Sequence, residues 1–185
     1  MIKKQLFFMV LGVIGFIGTS ICWFLTITHT VLLGYCGFAV DSSGNLYLGL
    51  DHQISVYSDG ALIRTITTGT SRSFAFTIED GDNLILSTST VLYEMDLYGN
   101  VIEKSEDENA RRFLNMQRNR SFATEDGRKY ECKNILGYIQ ILSEGEVIYK
   151  MPTWHYIVLI VFVLSIICFA AGVIMTIYYI KIEGL

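Results

Sequence analysis

Charge is missing from both ends of this chain. No Asp, Glu, Lys or Arg lies between Lys4 and Asp41, and none between Lys150 and Lys181. Long uncharged, apolar stretches are poor material for a water-facing surface, so they call for a cover of protein or lipid. Proline is almost absent: Pro152 stands alone, just before the second apolar run, where it separates helix from strand because it can neither continue a ladder nor sit inside a helix. The three histidines, His29, His52 and His155, show no His-x-x-x-His spacing, and no Cys-x-x-Cys occurs, which excludes the common zinc patterns. A Gly-x-Ser-x-Gly elbow and a Gly-rich phosphate loop are lacking too. The residues thus call for no cofactor, no metal and no catalytic group, and the chain reads as a non-enzyme.

What is present is segregated. The mean hydropathy of +0.41 is high for a soluble domain. Yet the middle holds 11 of the 14 basic residues and 17 of the 18 acids, a balance of about −6. That sign argues against a nucleic-acid partner, which needs a basic face.

The flanks read as transmembrane helices at 5–30 and 153–180. A span needs ~20 apolar residues, which the run from Gln5 to Leu25 supplies. A signal peptide is the competing reading. Its apolar region is only ~7–15 residues and ends at small residues, whereas this run continues through Trp23-Phe24-Leu25. Leu33-Gly34-Tyr35-Cys36 is a weak match to a lipoprotein cleavage site, with a bulky Tyr where a small residue belongs. Ile157 to Ile177 holds 14 Ile, Leu, Val or Phe residues, favouring insertion by about 4–8 kcal/mol. Trp154, His155 and Tyr156 before it, and Tyr178, Tyr179 and Lys181 after it, suit the two interfaces. Lys3, Lys4 and Lys181 favour a cytoplasmic side for the short tails 1–4 and 181–185. The expectation is a two-pass plasma-membrane protein with an extracytoplasmic middle at 34–152. Small-residue pairs on Gly15, Gly18 and Gly172 mark candidate helix-packing faces, between chains or within one.

Six turns built on Gly and acidic residues or Asn cut the middle, with glycines at 44, 60, 81, 99, 127 and 145. Gly supplies the positive φ of a tight turn, and Asp or Asn brace it. Taken in pairs, these turns enclose units offset by 37 and 46 residues. Phe38-Ala39, Phe74-Ala75 and Phe122-Ala123 take the same place. Each precedes a turn and a second strand, at Leu46-Tyr47-Leu48, Leu84-Ile85-Leu86 or Lys129-Tyr130-Glu131. Third strands follow at Ile54 to Tyr57, Val91 to Met95 and Tyr138 to Leu142, and fourth strands at Leu62 to Ile66, Val101-Ile102 and Val147 to Tyr149. The expected fold is a membrane-anchored all-β protein: three four-stranded, propeller-like antiparallel units at about 37–68, 73–104 and 120–151, between an N-terminal and a C-terminal helix.

Ala39-Val40-Asp41-Ser42-Ser43-Gly44-Asn45-Leu46-Tyr47-Leu48 leading to Ile54-Ser55-Val56-Tyr57-Ser58-Asp59-Gly60 resembles a blade of the NHL-type and related six-bladed β-propellers. The match is good for the first unit, fair for the second and weak for the third. It implies a scaffold for binding proteins or glycans. Closed propellers need ~4–8 blades, so three call either for a homodimer completing a six-bladed ring or for an open stack with covered ends.

Candidate functional residues are few. The irregular loop 105–119 and its edge carry Arg111, Arg112, Arg118 and Arg120, which read either as a solvated run or as a docking site for an anionic polymer or headgroup. Cys36 and Cys132 form a candidate disulfide pinning the first unit to the third. Asp41, Asp59, Asp80, Asp82, Asp96 and Asp126 read as turn braces rather than calcium ligands. Asn119-Arg120-Ser121 is a glycosylation acceptor in a glycosylating host. The leading function is a membrane-anchored binding or assembly module for a protein or envelope polymer. Alternatives are an accessory subunit of a transporter or receptor complex, and a propeller-type hydrolase completed by oligomerisation.

Overall fold

In the computed structural model, which describes residues 2–28, 30–32, 34–69, 74–79, 82–88, 90–106, 121–124 and 127–183, the chain divides into two compact units. One is Met1–Leu32 with Pro152–Leu185; the other is Leu33–Met151.

The first unit is a pair of helices, α1 (Ile2–Ile27) and α2 (Thr153–Glu183). α1 begins before Lys4 and α2 continues past Lys181, so both run beyond the charge-free stretches, because backbone hydrogen bonding does not stop where hydropathy does. They pack antiparallel along a seam of small residues. A Cβ built at Gly172 would stand 2.5 Å from Gly12 Cα and 2.9 Å from the Phe8 carbonyl oxygen. One at Gly15 would press on the Phe169 backbone nitrogen and stand 2.7 Å from the Ser165 carbonyl oxygen, and one at Gly18 would meet the Ser165 hydroxyl. Gly15, Gly18 and Gly172 therefore lie where the two helices of one chain approach, and Gly12 joins them. Such close approach is how apolar helices associate when their surroundings offer no hydrophobic drive. Phe8 stacks on Tyr179 at 5.9 Å and Phe16 packs on Phe169 at 6.0 Å along the same seam.

The second unit holds three four-stranded antiparallel meanders. Sheet 1 comprises β1 (Tyr35–Val40), β2 (Leu46–Leu50), β3 (Gln53–Ser58) and β4 (Ala61–Thr67). Sheet 2 comprises β5 (Ala75–Glu79), β6 (Asn83–Ser87), β7 (Val91–Met95) and β8 (Val101–Glu106). Sheet 3 comprises β9 (Ser121–Ala123), β10 (Lys129–Ile135), β11 (Tyr138–Ser143) and β12 (Glu146–Lys150). Ser105 and Glu106, expected to open the irregular loop, instead extend β8, where Glu106 pairs with Val91.

Spatial order departs from chain order. β1 stands beside β5 on one side and β9 on the other, so sheet 1 lies between sheets 2 and 3. Ala39, Tyr47 and Val56 pair across sheet 1 and face sheet 2, where they join Phe74, Phe76, Leu84, Leu86 and Met95 in the core. Phe38, Tyr57 and Tyr35 face sheet 3. Phe38 meets Phe122 at 6.4 Å, and Tyr57 meets Tyr149 at 5.0 Å. Burial on both faces explains why every residue of β2 is buried, whereas β10 alternates, with Tyr130 and Cys132 inside and Lys129, Glu131 and Lys133 outside.

Candidate functional site

The acids of the turns are held by backbone. Asp41-Ser42-Ser43-Gly44-Asn45 and Asp96-Leu97-Tyr98-Gly99-Asn100 make the same loop twice. Asp41 Oδ1 accepts from the Asn45 amide (2.8 Å) and Oδ2 from its side-chain nitrogen (2.8 Å). Asp96 repeats both bonds to Asn100, at 2.8 and 2.7 Å. These bonds, Asn100 first, hold the exposed Asp96 carboxyl below its usual range. Asp59 with Gly60 and Glu144 with Gly145 take positive φ in two-residue turns. No group of three or more His, Cys, Asp or Glu that could hold a metal occurs among the described residues. Asp80, Asp126 and His29 lie outside them.

Where sheets 1 and 2 meet, a polar chain crosses the boundary. Ser42 donates through its amide to Asp82 Oδ1 at 3.0 Å and through its hydroxyl to Oδ2 at 2.5 Å. Tyr47, wholly buried, donates to Asp41 Oδ2 (3.3 Å) and accepts from Arg64 (3.3 Å). Burial first, then the Asp41 charge, pushes its phenol up to about 12. The Arg64 guanidinium caps the Tyr98 ring at 4.5 Å. The Arg64 Nε is buried with no hydrogen-bond partner among the described residues.

The outer strands carry the most regular feature of the surface. In each sheet the ladder between third and fourth strands slips by one residue at the same place: Val56/Tyr57, Glu94/Met95 and Ile141/Leu142. Tyr57, Met95 and Leu142 pair with Leu62, Val101 and Val147, so the extra residue is an isoleucine every time: Ile63, Ile102 and Ile148. All six aliphatic residues are exposed. A bulge blunts an edge strand against random pairing. An exposed aliphatic pair repeated three times does more, because it offers apolar steps on an otherwise hydrogen-bonding edge. Pairwise comparison of turns and strands misses this feature, although the sequence carries it as Gly-x-Leu/Val-Ile at 60–63, 99–102 and 145–148.

The remaining candidates disperse. Cys36 and Cys132 are both buried. The ladder irregularity between Tyr35 and Gly37 turns Cys36 into the cluster facing sheet 2. Cys132 lies in sheet 3, where it bonds the Tyr35 phenol, and burial and this bond raise the phenol's pKa. Arg111, Arg112, Arg118, Arg120 and Asn119 lie outside the described residues. His52 occupies the β2–β3 turn, where its carbonyl accepts from the Thr68 amide (2.9 Å) and hydroxyl (2.6 Å).

No protein-family model matches the chain, and no curated protein matches it. Among solved structures, a streptogramin B lyase shares 10% identity over 64% of this chain and 40% of its own, with a TM-score of 0.37. Virginiamycin B lyase from Staphylococcus aureus shares 12% over 63% of this chain and 42% of its own, with a TM-score of 0.37. A protein of unknown function from Bacteroides caccae shares 12% over 63% and 45%, with a TM-score of 0.31. The chain spans less than half the length of each, and likenesses this distant carry no argument about activity.

Proposed function

We propose that the chain is a two-pass protein of the cell membrane, with both termini cytoplasmic and its β unit outside, and that it works by binding or assembly rather than by chemistry of its own. Both helices are long and apolar enough to cross a membrane, and Lys3, Lys4 and Lys181 bias their outer ends to the cytoplasm. The observation that carries the binding reading is the triplicated bulged pair, Leu62-Ile63, Val101-Ile102 and Val147-Ile148. The partner is a protein or an envelope polymer lying along these strands. A second copy of the chain is one such protein, since two sets of three blades make six. The accessory-subunit alternative has less support, because the glycine seam it would use is filled by the chain's own second helix.

A photoreactive amino acid placed singly at Ile63, Ile102 and Ile148 in the full chain, irradiated in native membranes, tests the reading. Covalent adducts are expected from these sites and not from Ser43 in the β1–β2 turn. An adduct of twice the chain's mass would identify a second copy. Absence of adducts at all three sites, together with hydrolysis of ester or lactone substrates by the purified chain, would overturn it.

A further inference from the structure

The β10–β11 hairpin ends in an apolar tip. Leu136 is 84% exposed and Ile135 beside it 61%. Leu136 also adopts a left-handed backbone, φ 51°, followed by Gly137 at φ 87°. That position in a two-residue turn favours Asn, Asp or Gly, and the comparable turns put Asp59 and Glu144 there at φ 49°. This hairpin therefore forgoes both solvation and turn preference at one residue. Departure from a local rule at an exposed site points to a use.

Topology places the tip. β12 runs antiparallel to β11, with Lys150 opposite Gln140, and the Met151 amide donates to the Ile139 carbonyl at 2.8 Å. The tip and the end of β12 therefore lie at one end of sheet 3. From Ile139 the hairpin continues three residues to Leu136, about 10 Å at ~3.3 Å per residue. From Met151 the chain has two residues, at most about 7 Å, before α2 begins at Thr153. Apolar tip and helix start are thus reached over similar lengths of chain from one hydrogen-bonded pair. The turns at the other end of the sheets carry Asp41, Asp59, Asp82, Asp96 and Glu144. Lys133 and Lys150 flank the tip end, where the turn acid Asp51 is engaged by the Gly34 amide at 2.8 Å.

We propose that Ile135 and Leu136 insert into the headgroup–acyl boundary of the leaflet that α2 enters, with Lys133 and Lys150 at the lipid phosphates. The occupant is the bilayer itself, and the inference rests on the two-pass reading. Trp154 and Tyr156 at the start of α2 are residues of the same interfacial kind. Insertion gives the β unit a third attachment besides its two chain connections, and so restrains its tilt.

The test uses the full chain in nanodiscs of phosphatidylcholine and phosphatidylglycerol. A polarity-sensitive fluorophore is placed singly through Leu136→Cys, Ile167→Cys in α2, or Ser43→Cys, and nitroxide-bearing lipids serve as quenchers. Quenching at 167 and at 136, and none at 43, is expected. Quenching at 167 with position 136 behaving like 43 overturns the insertion alone. No quenching at 167 overturns the two-pass reading and the insertion with it. A blue-shifted but unquenched probe at 136 reveals a protein cover instead of lipid, and also overturns it. Leu136→Asn supplies a label-free check. A better turn residue alone would slow hydrogen exchange at hairpin amides 133–138, whereas loss of insertion should speed it several-fold in nanodiscs. Unchanged or slower exchange overturns the proposal.

Discussion

Sheet 1 and sheet 3 share a strand order and a bulge, yet differ in how many faces they bury. In sheet 1 both faces are covered, and Leu46-Tyr47-Leu48-Gly49-Leu50 is apolar at every position. In sheet 3 the aligned strand, from Lys129, alternates charged residues with Tyr130 and Cys132. The difference teaches that local pattern reports the number of covered faces rather than the type of unit. The likeness to a propeller blade is therefore strongest in the first unit and weakest in the third, although both fold as the same meander.

The sharpest way to break this comparison is to cut the same position in both sheets. Leu46, which pairs with Tyr57 as Glu131 pairs with Leu142, is buried, and Leu46→Ala should cost about 2–5 kcal/mol. Its counterpart Glu131 faces solvent, and Glu131→Ala should stay within about 0.5 kcal/mol. Denaturant unfolding of the purified chain measures both, and equal costs would break the comparison. Next in size is Gly49→Ala. The new methyl would stand 2.7 Å from the Phe76 ring and 3.2 Å from Cys36 Cβ, and overpacking of this kind costs about 1–3 kcal/mol.

Alkali should probe the two boundaries of sheet 1. The Tyr47 phenol, pushed up to about 12, lies above its unfolded value of about 10. Its contribution is whole below pH ~10 and is lost as pH rises through ~12. Burial, and next Tyr57, raise Tyr149 on the other boundary. Melting temperature should fall over that alkaline range, and Tyr47→Phe should flatten the fall, with phenolate absorbance tracking the titration. The smallest effect belongs to Asp96, whose folded pKa is depressed. Its contribution is present above the unfolded value of ~3.9 and is lost as pH falls through the lower folded value. Asp96→Ala should slightly lower the melting temperature at neutral pH and leave it unchanged in strong acid.

Strand content was legible because turn glycines and two-residue alternation repeat: β7 spans Val91–Met95, as its apolar run suggests. Three things were hidden. Consecutive units usually lie side by side, and nothing in residues 35–106 says that sheet 3 returns to sheet 1. The Cys36 side chain changes face because a one-residue slip reverses alternation, and a slip leaves no mark on composition. The Ile63, Ile102 and Ile148 repeat was visible in letters, but its meaning lies in a ladder mismatch that only paired strands reveal.

The order of the sheets also sets a timetable for synthesis. Sheets 1 and 2 leave the ribosome first and can build their shared core, but Phe38, Leu48 and Tyr57 must wait for sheet 3. At roughly 5–20 residues per second, that wait is a few seconds. During it an apolar face of sheet 1 stands open. Biogenesis of this protein therefore has one exposed interval that neither of the two outer sheets creates by itself, and a chaperone or a slow codon acting on it would act between residues 106 and 150.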